Sequence, residues 1–385
     1  MSGLEFRPKP RRIRRGAALT LVFVSVLATA AATNALPREE AEEPRPRTAQ
    51  AAATTVDREA VARAAAEAMA DGKSGAKAAE EVVSRSGDRW GAVYDKSEYE
   101  EFEQALDGEY TGVGLWARRT GDQRVEVARV QPGGPADKAG IRKGDRLRRI
   151  DGKDLDARPV TEVVALLRGG DRTKVVLDLE REGRAWTETL RRARLSTEAV
   201  TVQRLEGGAV MIKVASFTKG SGVQVRDAVR DAPAGAGVLL DLRGNPGGLV
   251  AEAVTAASAF LDGGLVATYD VRGEQRALYA DQGGDTHRPV VALVDAGTMS
   301  AAELVTGALK DRGRAITVGS RTFGKGSVQM PSRLPDGSVA ELTVGHYRTP
   351  AGHSVDGRGI APDLAAGEGA EERAQTVLSG LGGGA

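Results

Sequence analysis

Ser300 and Lys325 stand 25 residues apart in the chain, and side chains of these two types can form a nucleophile and its base. A hydroxyl is a poor nucleophile until a neighbouring group takes its proton. Ser300 lies in "VALVDAGTMSAAELVTGAL", where an apolar strand ends at Asp295, a glycine-containing turn follows, and a helix begins. There the hydroxyl would face unpaired N–H groups and the positive end of a helix dipole, both suited to holding an oxyanion. The same residues also spell a helix cap. Ser300-x-x-Glu303 is a capping box, worth about 1 kcal/mol and carrying no chemistry. Taken alone, this motif favours the cap, so the case for catalysis rests on what accompanies the serine.

The base must be found among few candidates. The chain has no cysteine and three histidines. His287 falls in a polar loop, His346 in a strand and His353 in a turn, and none has metal-ligand spacing. Lysine serves if it gives up its proton: its pKa of about 10.4 can be brought to about 7–8 by burial, at a cost of about 4 kcal/mol. "TFGKGSVQ" suits that role. Gly324 and Gly326 let backbone pack closely around Lys325, Phe323 offers an apolar wall, and Gln329 offers a neutral amide to orient the amine. A carboxylate in that position would stabilise the ammonium instead. Two other readings of this lysine compete. One is a solvated lysine in a glycine-rich turn. The other is a phosphate loop, since "GSRTFGKGS" is one residue away from G-x-x-x-x-G-K-[ST]; but Gly326 replaces the required hydroxyl, and the residues after it alternate as a strand rather than opening a helix. A third glycine-rich turn, "LLDLRGNPGGLV", ends a buried strand. With the amide of Ala301, its Gly247 could complete an oxyanion hole.

The elements that must position these groups can be traced along the chain. "RPKPRRIRR" precedes the apolar run Gly16–Thr33, which reads as an export signal or an N-terminal membrane anchor within residues 1–35. Either places the bulk of the chain outside the cytoplasm. Residues 36–56 read as an extended linker, and 57–108 as a helical subdomain with Tyr99, Phe102 and Leu106 on one face. A strand-rich unit with two helices spans 109–197. From 198 to 366 strands alternate with helices, predicting an α/β layer with a covered sheet, and 367–385 reads as a glycine-rich tail. Lysine and arginine number 54 against 53 acidic residues, and aromatics make up 4% of the chain; neither balance suggests a nucleic-acid partner.

Taken in order, "DLRGNPGG", "GTMSAAE", "TFGKGSVQ" and "GRGIAPD" resemble the carboxyl-terminal processing, or tail-specific, proteases, a resemblance that covers about 57–366. "VARVQPGGPADKAGIRKGDRLRRIDG" is similar to the centre of that family's PDZ domain. The resemblance implies a mixed α/β multidomain fold: helical subdomain, PDZ domain, protease core. It implies Ser300 as nucleophile, Lys325 as general base and Gln329 as its orienting partner, with Ala301 and Gly247, or a neighbour of Gly247, as oxyanion donors. It also implies that Gly112, Val113, Gly114 and Leu115 bind a substrate's terminal carboxylate, the peptide adding as a strand. Expected partners are polypeptides with free, unstructured C-termini, with a homodimer formed through the N-terminal helices and membrane association through residues 16–33. No metal, nucleotide or other cofactor is implied. Met299, Ala302 and Gly244 depart from the family's usual Ala, Ser and Asn without removing a catalytic group. A peptide-binding scaffold on a dead protease core is the rival reading.

Overall fold

The computed structural model describes residues 57–156, 158–271 and 274–382. The apolar run at 16–33 and the linker read at 36–56 lie outside them. Among the described residues no helix is long and apolar enough to cross a membrane.

Two helices open the described chain, α1 (Arg58–Ala70) and α2 (Gly75–Arg85), with a third, α3 (Lys96–Leu106), after a short strand β1 (Ala92–Tyr94). Asp57, Ser74 and Asp95 cap the three helices from their side chains. The sequence had suggested helix throughout this region. The strand interrupts it because its partner lies some 250 residues away: Ala92–Tyr94 pairs antiparallel with Val339–Glu341. Val61, Ala65, Ala79 and Val83 complete the attachment by packing on Leu334, Ala340 and Leu342.

The second unit is built from β2 (Glu109–Gly112), β3 (Leu115–Arg119), β4 (Val125–Val130), α4 (Pro135–Lys138), β5 (Arg146–Ile150), β6 (Lys153–Asp154), α5 (Val160–Leu167), β7 (Lys174–Arg181), β8 (Arg184–Arg191) and β9 (Ala193–Ser196). Its main sheet runs β3-β4-β5-β7-β8, and β2 pairs with β9 to close the unit where the chain enters and leaves. Leu147, Ile150, Val163, Leu177 and Leu179 form a core of its own.

The third unit carries a six-stranded sheet in the order β10 (Val200–Arg204), β11 (Val210–Val214), β12 (Val238–Asp241), β15 (Val290–Val294), β16 (Ile316–Gly319), β19 (Leu364–Ala365). All its pairs are parallel except β10 with β11. The runs VLLD and VVALV are buried at every position, as strands covered on both faces must be. One face packs on α6 (Ser221–Asp231), α7 (Val250–Ser258) and α8 (Ala301–Asp311) through Ile212, Leu240 and Ala292. The other, through Met211, Leu239 and Leu293, packs on α9 (Ala370–Gly380). Residues 367–385, read from the sequence as a tail, thus contain a helix whose Ala374 and Leu378 are buried. Beside this layer lies a second sheet of β1, β13 (Leu265–Val271), β14 (Glu274–Tyr279), β17 (Ser327–Arg333) and β18 (Val339–Arg348). Its hairpin β13–β14 was not apparent in the strand–helix alternation.

Candidate active site

Three turns follow the carboxyl ends of parallel strands: residues 242–249 after β12, 295–300 after β15, and 320–326 after β16. Open α/β sheets hold ligands in that place, and adjacency of the strands draws the turns together. Asp295 accepts hydrogen bonds from the Gly244 and Gly297 amides at 2.8 and 2.9 Å, the Thr298 hydroxyl donates to the Leu242 carbonyl, and Met299 N–H donates to the Asn245 carbonyl. The nucleophile turn and the glycine-rich turn are therefore one stitched unit.

Ser300 ends that turn with φ 53° and ψ −117°. A side-chain-bearing residue held there stores about 1–3 kcal/mol of strain, which persists only where its surroundings fix it. Its N–H donates to Glu303 Oε2 at 3.0 Å, and its carbonyl accepts both the Leu304 N–H and the Tyr347 hydroxyl, each at 3.0 Å.

Glu303 does more than close a cap. The residue is fully buried, and its carboxyl gathers four donors. Thr322 Oγ1 at 2.5 Å and Gly324 N–H at 2.7 Å reach Oε1; Lys325 N–H at 2.8 Å and the Ser300 amide reach Oε2. The backbones of the two candidate catalytic residues share a single oxygen. Burial pushes the Glu303 carboxyl up from its ordinary range, while the four donors favour the anion and pull it back.

The side chain of Lys325 is half-buried, and its amine lies 5.2 Å from the centroid of the Trp90 ring. Burial lowers its pKa below the usual lysine range, against the opposing charges of Glu341 and Asp88. Among the described residues, Nζ makes no hydrogen bond to Ser300 Oγ. Phe323, the apolar wall expected from the sequence, is 42% exposed and sits against Trp90 at 5.7 Å between centroids; Trp90 is the ring beside the amine. Trp90 is held there because the Asp88 carboxylate accepts from its backbone N–H and also from the backbone N–H and hydroxyl of Thr343 on β18. Gln329 does not reach the amine either; its amide donates to Ser327 Oγ at 3.1 Å. Two carboxylates face the lysine where a neutral amide was expected, and desolvation still dominates. The glycines flanking Lys325 fit their expected role: a Cβ on Gly326 would lie 2.5 Å from Asp356 N, and one on Gly324 would lie 2.9 Å from Gly359 N.

On the oxyanion side, Gly247 takes φ 97°, and a Cβ there would come within 3.0 Å of both Ala301 N and Ser300 Cβ. Its N–H, however, donates to the Asn245 side chain at 2.8 Å. Asn245 is fully buried, and its own amide is anchored on the Val214 carbonyl. The Ala301 amide lies against this glycine turn, 3.0 Å from the place a Gly247 Cβ would take, so the turn and the first amide of the helix meet beside Ser300.

Gly112, Val113, Gly114 and Leu115 gather elsewhere, at a cavity of about 230 Å³ between the second and third units. Leu167, Arg168 and Lys213 also line it, whereas Ser300 and Lys325 do not. Arg168 stacks on Tyr110 at 5.2 Å, and Lys213 is paired with Asp241 at 3.3 Å. Apolar and cationic side chains thus line one cavity.

Trp90, Asp88, Glu341 and Tyr347 carry no local sequence signal of a place in this site. Each reaches the site through pairing between distant strands, which no local pattern announces; Glu303 was visible, but only as a cap.

Residues 209–366 match the profile of peptidase family S41, and 126–181 that of the PDZ domain. The carboxy-terminal processing protease CtpA of Bacillus subtilis is 31% identical over 284 residues, 72% of this chain and 61% of that protein. The chloroplastic carboxyl-terminal-processing peptidase 3 of Arabidopsis thaliana is 34% identical over 305 residues, 74% and 58% of the respective chains. The chain spans about three fifths of the length of the curated relatives it matches. Among solved structures, a photosystem II D1 C-terminal processing protease is similar at 30% identity with a TM-score of 0.50, covering 76% of this chain and 81% of that one. The chain belongs to the carboxyl-terminal processing proteases of peptidase family S41, and its second unit is their PDZ domain.

Proposed function

We propose that the protein is a serine endopeptidase of exported polypeptides, using Ser300 as nucleophile and Lys325 as general base. The observation that supports this reading is the buried Glu303 carboxyl, which binds the backbone amides of both residues and so ties their two backbones together. The uncharged amine turns from Trp90 towards Ser300 and takes the hydroxyl proton as Oγ adds to the scissile carbonyl carbon. The Ala301 amide and a glycine amide of the 245–248 turn hold the resulting oxyanion. Collapse breaks the C–N bond, and the leaving amine receives the proton from Lys325. Water, deprotonated by the same amine, then cleaves the ester and restores Ser300. These steps need no metal or nucleotide.

The cavity at Gly112–Leu115 receives the free C-terminus of an unstructured substrate, and residues 16–33 direct the chain out of the cytoplasm as signal or anchor. An unfolded protein with an apolar C-terminus is the test substrate. Ser300→Ala and Lys325→Ala should each lower its cleavage by at least about 10³-fold while thermal unfolding stays unchanged. Cleavage by either variant at the parent rate would refute the assignment.

A further inference from the structure

Among the described residues, Tyr347 is the side chain outside the Ser300 turn and its helix that hydrogen-bonds the Ser300 backbone, and its main chain bonds the lysine loop. Its hydroxyl donates to the Ser300 carbonyl at 3.0 Å. Its N–H donates to the carbonyl of Gly326, the residue after Lys325, at 2.8 Å. The residue is 3% exposed. Tyr269 faces it across the β13–β18 pair, and its ring lies in the core beneath α8. Burial, aided by the Glu303 and Asp356 carboxylates, raises the pKa of its phenol well above the ordinary tyrosine value, so the hydroxyl remains a donor.

We infer that Tyr347 is a positioning residue: a rigid strut that fixes the separation of Ser300 from the Lys325 loop and holds Ser300 in its strained conformation. Glu303 and Tyr347 divide the work. Glu303 grips the amides of Ser300 and Lys325 from one side, and Tyr347 grips the carbonyls of Ser300 and Gly326 from the other. A backbone at φ 53°, ψ −117° relaxes when such restraints are removed. With both its N–H and its C=O tied, the Ser300 backbone is held at that φ and ψ, which fixes the direction in which its Cα–Cβ bond points. An aromatic ring suits the role because it has only two rotatable side-chain bonds, and here both ends of the residue are bonded. A phenylalanine would fill the same space and leave the Ser300 carbonyl with the Leu304 amide alone.

The inference rests on the Ser300–Lys325 reading, and two readouts separate its failure from a failure of that reading. Tyr347→Phe is made in the full chain. Hydrogen–deuterium exchange, which needs no enzymatic activity, should show peptides covering 298–304 and 323–328 exchanging several-fold faster together, with thermal unfolding within a few degrees of the parent. In the active enzyme, kcat on a fluorogenic peptide with a free apolar C-terminus should fall about tenfold, with KM within about twofold, the signature of lost transition-state geometry rather than lost binding. Unchanged exchange in either segment overturns the strut, whatever the activity. So does an unchanged kcat, or a loss that appears in KM and melting temperature instead.

Discussion

At the residue scale, the proposed base Lys325 is desolvated while the charges of two carboxylates oppose that effect. Burial depresses the Lys325 pKa, and Glu341 and Asp88 oppose it. The sign of a test follows directly. Glu341→Gln removes a charge that raises the lysine pKa, so the pKa falls further and the rising limb of the kcat/KM profile moves to lower pH. A pH titration of peptide cleavage measures this, and a limb that stays put or moves to higher pH would mean that Glu341 does not sense the amine. Ser300, Lys325 and the glycines around them were legible in the sequence because each is a local exception to its element: a hydroxyl at a helix start, a lysine between glycines. Glu341 was not legible, since in a strand sequence it looks like any solvent-facing carboxylate.

At the scale of elements, the 85–94 segment is the least expected part of the site. Its short strand β1 adds to the second sheet of the core, and the Asp88 clamp on Thr343 brings the Trp90 ring to the lysine. The helical subdomain thereby supplies the ring beside the Lys325 amine. Trp90→Ala should admit water to the amine and weaken the desolvation that lowers its pKa, moving the activity limb to higher pH, opposite to Glu341→Gln. The same titration compares the two variants, and equal displacement in one direction would contradict the distinct causes assigned here. Helix propensity announced α1 to α3, but three residues of strand carry too little signal when their partner is 250 positions away.

For the whole molecule, the parallel sheet separates two packing tasks. Ser300 and α8 lie on one face, and the C-terminal helix α9 covers the other through Leu378, which is 1% exposed. Leu378→Ala should therefore cost about 2–4 kcal/mol of core stability, as for other buried leucines, while kcat in the folded protein stays near the parent value. Urea unfolding and a steady-state assay on one preparation decide this; undiminished stability would mean the helix is dispensable to the core.

The chain's sequence by itself determined the order of its units, the strand–turn–helix that carries Ser300, the glycine-flanked Lys325 and the family to which they point. These are short-range patterns of apolar period, turn chemistry and motif, which operate over a few residues. Only the tertiary structure decided that Glu303 binds the backbones of both Ser300 and Lys325, that Tyr347 on β18 bonds the Ser300 and Gly326 carbonyls, that Trp90 rather than Phe323 stands beside the amine, and that Ala370–Gly380 forms a helix packed on the sheet. Those contacts join positions tens to hundreds of residues apart, and their free energy arises when sheets pair and water leaves, an event no local stretch encodes.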